Sequence, residues 1–467
     1  MPLELDVFRG YDIRGLYPSQ INEDLAVKLG HALSMYLGNK GPVVVGRDGR
    51  TSSPSLHQAL LQGLTKSGID VIDIGVCTTP MTSYALYYLG APCGVMISAS
   101  HNPPEYNAFK LFRRITGVIS GVQQLSAADG LSEIKNMVEN YAFKPAAQPG
   151  KVILNDIMTD YREELITHAG TIKGLQVVAD YGNGVGAISA DPLLKSLPIS
   201  YTALYPESDG NFPHHIPDNH NEDNFKDLIT AVKRDGADVG LFFDGDADRW
   251  IAVDETGQIV SPEIMTGIYA LDFLANRGKE KSDADIEPII YHDLRFSRAV
   301  IEEIKAAGGI TKKLPVGNTY YKDALIKHGG FIGGEWTGHI MWAENNARDD
   351  GLFNGLKLLG IMTKTGKKLS ELAQPFRKYY KPFEISMTLA RPLSSETLKQ
   401  SLQKTFSDGS LSFIDGVSVD YPDWWFNLRL SNTTPVLRLT IEGPDKAFVD
   451  EKIEYIKTLI SKYIGPS

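Results

Sequence analysis

The apolar positions fall in short solid runs, each of which stops abruptly in charge or glycine. Val43-Val44-Val45 runs into Gly46-Arg47-Asp48. Leu175 to Ala179 runs into Asp180-Tyr181-Gly182-Asn183-Gly184, and Pro288-Ile289-Ile290-Tyr291 runs into His292-Asp293. A run that is apolar on both faces reads as a strand buried on both faces, the habit of parallel sheets. After the first run, Ser52, Ser53 and Pro54 give an N-cap and first-turn signal. The helix they open is predicted to reach about Lys66, with Gly68 as its stop and a strand at Val71 to Ile74. In the third run Ser297 caps a helix predicted up to Gly308. Each is a βαβ unit with a right-handed crossover. Farther on, each is followed by a second glycine-bearing strand: Gly94-Val95-Met96-Ile97, Gly240-Leu241-Phe242-Phe243 and Phe331-Ile332-Gly333-Gly334. The spacing is too long for a solenoid. The pattern predicts three similar α/β domains with mixed, largely parallel sheets, each offering one loop at a strand end.

The tail has another rhythm. Ser395 to Phe406 and Asp450 to Tyr463 read as helices. Leu411 to Ile414, Trp424 to Leu430 and Val436 to Ile441 read as neighbouring antiparallel strands. That is a smaller α+β domain. The expected boundaries are residues 1–148, 149–256, 257–370 and 371–467, with a hinge near Thr365 to Ser370.

Length and composition narrow the class. A chain of 467 residues suits three or four domains at about 150 residues each. With 42% hydrophobic and 22% charged residues it has an ordinary globular balance and ample core. Cys77 and Cys93 are too few for a disulfide framework, so reduced thiols in the cytoplasm are expected. No apolar run is long enough to predict a membrane span, and the acidic start MPLELDVFRG has no signal core. The net charge of −10 argues against nucleic-acid binding and makes any local cluster of Arg and Lys notable.

Chemistry concentrates in the loops. Val95-Met96-Ile97 breaks into Ser98-Ala99-Ser100-His101-Asn102-Pro103 at a strand's carboxyl end, where open α/β sheets place their ligands. Pro103 and Pro104 forbid a helix, so Ser100 sits on a stiff exposed turn. Alone, the stretch reads as a plain Ser/Asn turn, and it is the rest of the chain that changes this. The second loop is Asp244-Gly245-Asp246-Ala247-Asp248-Arg249. In extended chain its alternate carboxylates share one face and repel unless a cation sits between them. Hard oxygen ligands point to Mg²⁺ or Ca²⁺. An EF-hand would also fit the aspartates and Glu255, but it needs glycine where Arg249 stands and a helix where a buried strand precedes. Arg249 suits a phosphoester beside the metal. The third loop, Gly334-Glu335-Trp336-Thr337-Gly338-His339, places a carboxylate and a hydroxyl in alternation, a pairing that can bind sugar hydroxyls. His339 is a base or a polar loop residue, and Trp336 packs beneath the loop or against a sugar face. In the tail, Arg429-Leu430-Ser431-Asn432-Thr433-Thr434-Pro435 has the composition of a phosphate loop or of a plain turn. Phe8-Arg9-Gly10-Tyr11-Asp12-Ile13-Arg14-Gly15 reads as an anion-facing loop or a charged strand edge.

Ser100 is a weak nucleophile until activated. No GxSxG elbow is present, and His101 is too close in sequence to be assumed its base. A serine that carries a phosphoryl group beside Mg²⁺ needs no triad. Lys110 is a proton donor or acceptor if nearby cations lower its pKa, and otherwise a solvated lysine.

Taken together and in order, FRGYDIRG, SASHNP, DGDADR, GEWTGH and RLSNTTP resemble the α-D-phosphohexomutase superfamily over the full length, and most its phosphomannomutase/phosphoglucomutase branch. The resemblance implies four domains around a central cleft, each giving one loop. It implies an isomerase that interconverts hexose 1-phosphates and hexose 6-phosphates through phospho-Ser100 and a hexose 1,6-bisphosphate, which also serves as activator. Mg²⁺ would be held by Asp244, Asp246, Asp248 and the Ser100 phosphate. Arg14, Lys110 and His339 would move protons or stabilise charge, Arg249 would act beside the metal, and His101 joins this catalytic set. Glu335 and Thr337 would bind sugar hydroxyls, with Tyr11 and Asn102 lining the cleft. Arg429, Ser431, Asn432 and Thr433 would hold the non-reacting phosphate. The chain departs from the branch at Trp336 and Thr337, at Gly317-Asn318 where Gly-His is usual, and at Arg295 where lysine is expected. These places bear on sugar preference, so Asn318 and Arg295 join the substrate set. SNTTP in place of SGTEP disfavours an amino sugar. Phosphoglucosamine mutase, a non-catalytic sugar-phosphate binding protein and a simple phosphatase are the alternatives. The expected partners are hexose phosphates, with the chain a monomer or homodimer.

Overall fold

A computed structural model describes residues 7–140, 142–278, 286–431, 436–461 and 463–464. The solid apolar runs are central parallel strands. In the first sheet Val43–Arg47 lies between Val71–Val76 and Cys93–Ile97, parallel to both. In the second, Gln176–Asp180 lies parallel to Ser200–Leu204 and Val239–Phe243. In the third, Ile289–Asp293 lies parallel to Ile310–Leu314 and Ile332–Gly334. Each domain then repeats one device. The parallel strand that ends at the loop turns back as an antiparallel neighbour: Cys93–Ile97 into Tyr106–Thr116, Val239–Phe243 into Trp250–Asp254, and Ile332–Gly334 into Ile340–Trp342. The loops SASHNP, DGDADR and EWTGH therefore fill one topological slot three times.

The sheets extend past two expected boundaries. Val152–Leu154 pairs with Val71–Val76 and belongs to the first sheet, beyond residue 148. Ile259–Val260 pairs with Trp250–Asp254 and belongs to the second, beyond residue 256. The tail forms an antiparallel sheet in the order Ile385–Thr388, Val436–Glu442, Trp425–Leu430, Val417–Asp420, Ser410–Ser412. Its last helix spans Lys446–Ile460 and starts earlier than the pattern suggested, because Asp445 caps it by accepting from Phe448 N.

One apolar cluster runs through the first three domains. It joins Val44 and Tyr84 to Val177, Leu241 and Trp250, and these to Ile268 and Trp342. A polar tie supports it, where Tyr161 donates to Asp350 Oδ2 at 2.8 Å. The tail domain has its own separate cluster around Phe426, Leu439 and Val449. The chain leaves the third domain through Gly366, which closes helix Gly351–Thr365 in the left-handed conformation. Among the described residues no helix is long and apolar enough to cross a membrane.

Candidate active site

The Ser100 loop is held from beneath by a residue that the sequence did not point to. Arg50 is buried and donates to four carbonyls of the loop: Nη1 to Pro103 O (2.7 Å) and Tyr106 O (3.1 Å), Nη2 to Ser100 O (2.8 Å) and Asn102 O (2.6 Å). Asp48 pairs with Arg50 at 3.2 Å, and Phe212 lies under its guanidinium. The fork fixes a turn in which Ser100 has φ 53°, a left-handed conformation that costs a non-glycine residue about 1–3 kcal/mol. The Ser98 hydroxyl accepts from Ser100 N at 3.0 Å and completes the turn.

So positioned, Ser100 Oγ donates to Asp244 Oδ2 at 2.6 Å and accepts from Arg249 Nη2 at 2.9 Å. Arg249 Nη2 also reaches Asp244 Oδ2 at 2.8 Å. His101 Nδ1 lies 3.4 Å from Ser100 Oγ and meets Arg249 Nη2 more closely. Burial and then Arg249 hold its imidazole well below the ordinary histidine value. Arg14 Nη1 donates to Asn102 Oδ1 at 2.5 Å while its other edge pairs with Asp12, which brings the first arginine loop against the serine loop.

Asp244, Asp246 and Asp248 converge, with ligand oxygens all within 4.8 Å of one another. They do so by a turn and not by strand alternation, which corrects the sequence reading. Ala247 has φ 58° and donates its N–H to Asp244 O at 3.1 Å. All three carboxylates are buried. Burial, partly offset by Arg249, pushes Asp244 up to about 6. Burial presses Asp246 upward too, but Lys110 and the Thr79 hydroxyl outweigh it and hold that carboxyl below the ordinary range. Lys110 Nζ lies 2.6 Å from Asp246 Oδ2 and 2.7 Å from Asp248 Oδ2. Its neighbours are thus anions and not the cations that would lower its pKa. Burial opposes the ammonium, yet the two carboxylates raise it above the ordinary lysine value. Among the described residues, Asp246 Oδ1 and Asp248 Oδ1 are buried without a hydrogen-bond partner. Three converging carboxylates, two of which carry an unsatisfied buried oxygen, fit a hard divalent cation.

Asn219 ties this loop to the next. It accepts from Arg249 Nη1 at 3.1 Å and donates to Thr337 O at 2.6 Å. The Glu335–His339 loop is also a tight turn, closed by Glu335 N to His339 O (2.8 Å) with Gly338 at φ 104°. Glu335 is buried, which raises its pKa, and its carboxylate stands 3.4 Å from Arg295. His339 Nδ1 lies 3.0 Å from Asp349 Oδ2. Burial lowers its pKa, but Asp248 and Asp349 reverse the direction. Asn318 donates to the same Asp349 oxygen at 3.0 Å, and Lys322 reaches the other at 2.6 Å. Tyr11 closes over this corner: a Cβ on Gly317 would stand 2.7 Å from its hydroxyl oxygen. Trp336 packs on protein, between the Arg295 guanidinium, Lys381 and Phe383.

Arg295 forks onto Asp293 and reaches Glu384 at 3.4 Å. Arg429 donates to Glu384 as well, at 3.0 Å. Ser431 N donates to Val436 O at 2.9 Å, at the root of the tail loop. Asn432 and Thr433 lie outside the described residues.

The four domains and their order match one family throughout. Residues 5–135, 159–257 and 262–379 match the phosphoglucomutase/phosphomannomutase alpha/beta/alpha domains I, II and III, and residues 368–457 match the C-terminal domain. A Pseudomonas aeruginosa phosphomannomutase/phosphoglucomutase is 35% identical over 463 residues, covering 98% of this chain and 95% of that protein. The chain belongs to the phosphoglucomutase/phosphomannomutase family. A Neisseria gonorrhoeae phosphoglucomutase is 33% identical over 97% of this chain and 96% of its own length. The crystal structure of a phosphoglucomutase/phosphomannomutase family protein from Burkholderia thailandensis superposes with a TM-score of 0.85 at 28% identity, covering 98% of each chain.

Within this family member, Arg50, Thr79, Asn219, Asp349 and Glu384 are the site-building residues that sequence reasoning missed. Only Arg50 left a trace, as the second arginine in the charged end of the first strand, Gly46-Arg47-Asp48-Gly49-Arg50.

Proposed function

We propose that the chain interconverts the 1- and 6-phosphates of mannose, glucose or both, with Ser100 as the phosphoryl carrier. The observation that carries this reading is the Ser100 hydroxyl itself, on a left-handed turn between Asp244 at 2.6 Å and Arg249 at 2.9 Å. The family names of the relatives support the reaction class, an isomerase that works by phosphoryl transfer.

In the forward step the phosphorus–Oγ bond of phospho-Ser100 breaks, and a bond forms from phosphorus to the free hydroxyl oxygen of a hexose phosphate. The hydroxyl proton passes to the His339 imidazole in its neutral form, while Lys110, held as an ammonium by Asp246 and Asp248, and the Arg14 guanidinium stabilise charge. The Ser100 oxygen keeps the electron pair, and Arg249 neutralises it. The bisphosphate then presents its other end, and that phosphoryl group returns to Ser100. Phosphoryl transfer asks for positioning and charge neutralisation more than covalent machinery, and the Arg50 fork and the Lys110 and Arg249 pairs supply them. Bound Mg²⁺ would be held by Asp244, Asp246, Asp248 and a Ser100 phosphate oxygen, and it supplies Lewis-acid stabilisation of the transferred group. Glu335 and Thr337 serve the sugar hydroxyls. Arg429 and the tail loop serve the phosphate that does not react. The free buried thiols Cys77 and Cys93 suit a cytoplasmic setting.

The test is a coupled assay with Mg²⁺ on mannose 1-phosphate, glucose 1-phosphate and glucosamine 1-phosphate, each with a trace of the matching bisphosphate. Turnover of either of the first two is expected. Ser100→Ala should abolish it while calorimetric binding of the sugar phosphate persists. Unchanged turnover in that variant would end the reading, and release of free phosphate without isomerisation would make the chain a phosphatase.

A further inference from the structure

Arg429 and Arg438 face each other across the antiparallel strands Trp425–Leu430 and Val436–Glu442. Like charges directly opposite repel. Glu384, just ahead of strand Ile385–Thr388, relieves that repulsion. Its carboxylate accepts from Arg429 Nη2 at 3.0 and 3.3 Å, from Arg438 Nη1 at 2.9 Å and from Thr440 Oγ1 at 3.4 Å, with Arg295 Nη1 at 3.4 Å. The side chain is only 4% exposed, so these contacts are shielded from water. Burial opposes its charge, but Arg295, Arg429 and Arg438 hold its carboxyl down at about 2. The pairing is incomplete on the cationic side. Among the described residues, Arg429 Nε and Arg438 Nε are both buried without a hydrogen-bond partner. Arg295 is already matched by Asp293, so one carboxylate serves two guanidinium groups that still have donors to give. A phosphate dianion, with more charge and three acceptor oxygens, fits the same forks better than a carboxylate does.

We propose that Glu384 is an internal competitor of the substrate's phosphate: its carboxylate occupies the Arg429 fork, and the phosphate ester must take that fork from it. This rests on the reading of Arg429 as the anchor of the non-reacting phosphate. The consequence is a weakened grip. A bisphosphate that must let go, turn and be gripped by its other end gains from an anchor that releases. Glu384 touches no reacting atom and acts through Arg429, so it is a positioning residue.

Glu384→Gln keeps the shape and removes the competing charge. The expected result is a KM for the hexose phosphate and an inhibition constant for inorganic phosphate both lowered about tenfold, since hydrogen bonds between charged partners are worth that much or more. The turnover number should fall and not rise, because release becomes slower. Glu384→Asp keeps the charge on a shorter arm and should lower both constants by a smaller factor, which keeps the test available if the glutamine variant does not fold. A variant at 384 that raises either constant, or leaves both unchanged, overturns the proposal. Arg429→Ala separates the two ideas. If its KM matches wild type, the anchor reading fails and the competitor falls with it. If its KM rises while Glu384→Gln shows no tightening, the competitor alone is wrong.

Discussion

Replacing Arg50 by lysine probes the Ser100 turn without touching a group that meets substrate. Lysine keeps the charge and can keep the pairing with Asp48, but a single ammonium cannot reproduce the planar fork. Arg50 donates to four loop carbonyls. An ammonium in its place reaches about two of them, and each bond lost from a charged donor is worth about 1.5–3 kcal/mol. The loss of about 3 kcal/mol or more therefore exceeds or equals the roughly 1–3 kcal/mol stored in the left-handed Ser100. The turn then relaxes, and the hydroxyl leaves its place between Asp244 and Arg249. A misplacement of about 1 Å at a reacting atom costs about a hundredfold in rate. The coupled mutase assay should show kcat lowered about a hundredfold with KM within about twofold of wild type, because the anchors proposed for sugar and phosphate are elsewhere. Circular dichroism would check that the variant is folded. A folded variant with kcat within about threefold of wild type, or with a changed KM alone, would refute the idea that the fork sets the serine geometry.

Three further outcomes follow from other parts of the structure. Chelation should stop turnover and added Mg²⁺ should restore it, and Mg²⁺ should also raise the melting temperature by relieving the three converging carboxylates; full activity after exhaustive dialysis against chelator would remove the metal from the reaction. Asp350 is buried, and its carboxyl is pushed up to about 6, first by burial, which the hydrogen bonds from Phe353 N and Tyr161 and the charge of Arg348 only partly offset. A folded-state pKa above the unfolded value means that this group's share of stability is full below about pH 4 and is lost as pH rises through about 6. Asp350→Asn keeps a cap for Phe353 N and should raise the melting temperature at pH 8, by at most about 3 kcal/mol of stability, with the gain gone by pH 4; an equal gain at both pH values would contradict the assignment. Gly317→Ala should cost stability and sugar-phosphate turnover about tenfold, since φ 136° strains any side chain and its Cβ would meet the Tyr11 hydroxyl. Tyr11→Phe removes the nearest clashing atom, and failure to recover any melting temperature in the double variant would place the damage elsewhere.

How much of this was legible in the sequence varies with how local the cause is. Val43–Arg47, Gln176–Asp180 and Ile289–Asp293 were plain because a strand buried on both faces must be apolar throughout. Val152–Leu154 was not, because it is an edge strand whose three residues are exposed and resemble a linker. The aspartates were found for an incomplete reason: alternation in sequence is shared by an extended strand and by the turn at Ala247 that the chain adopts. Arg50, Thr79 and Asn219 left little or no signal. Their partners lie far off in the chain, as Thr79 does from Asp246 and Asn219 from Thr337. Glu384 was hidden for the same reason, since its value depends on three arginines drawn from two domains.

The thrice-used slot between a parallel strand and its antiparallel return separates what folds the protein from what it does. Burial of Cys93–Ile97, Val239–Phe243 and Ile332–Gly334 is complete whichever loop they carry. One slot displays a hydroxyl, one a set of carboxylates, one a mixed polar face, and the scaffold beneath is the same in kind. The slot therefore behaves like a socket, in which a loop can be exchanged with little demand on the strands that present it. The cost of specialisation falls on the few long-range braces, Arg50 beneath the first loop and Asn219 between the second and third, and these are the residues a graft would have to carry along.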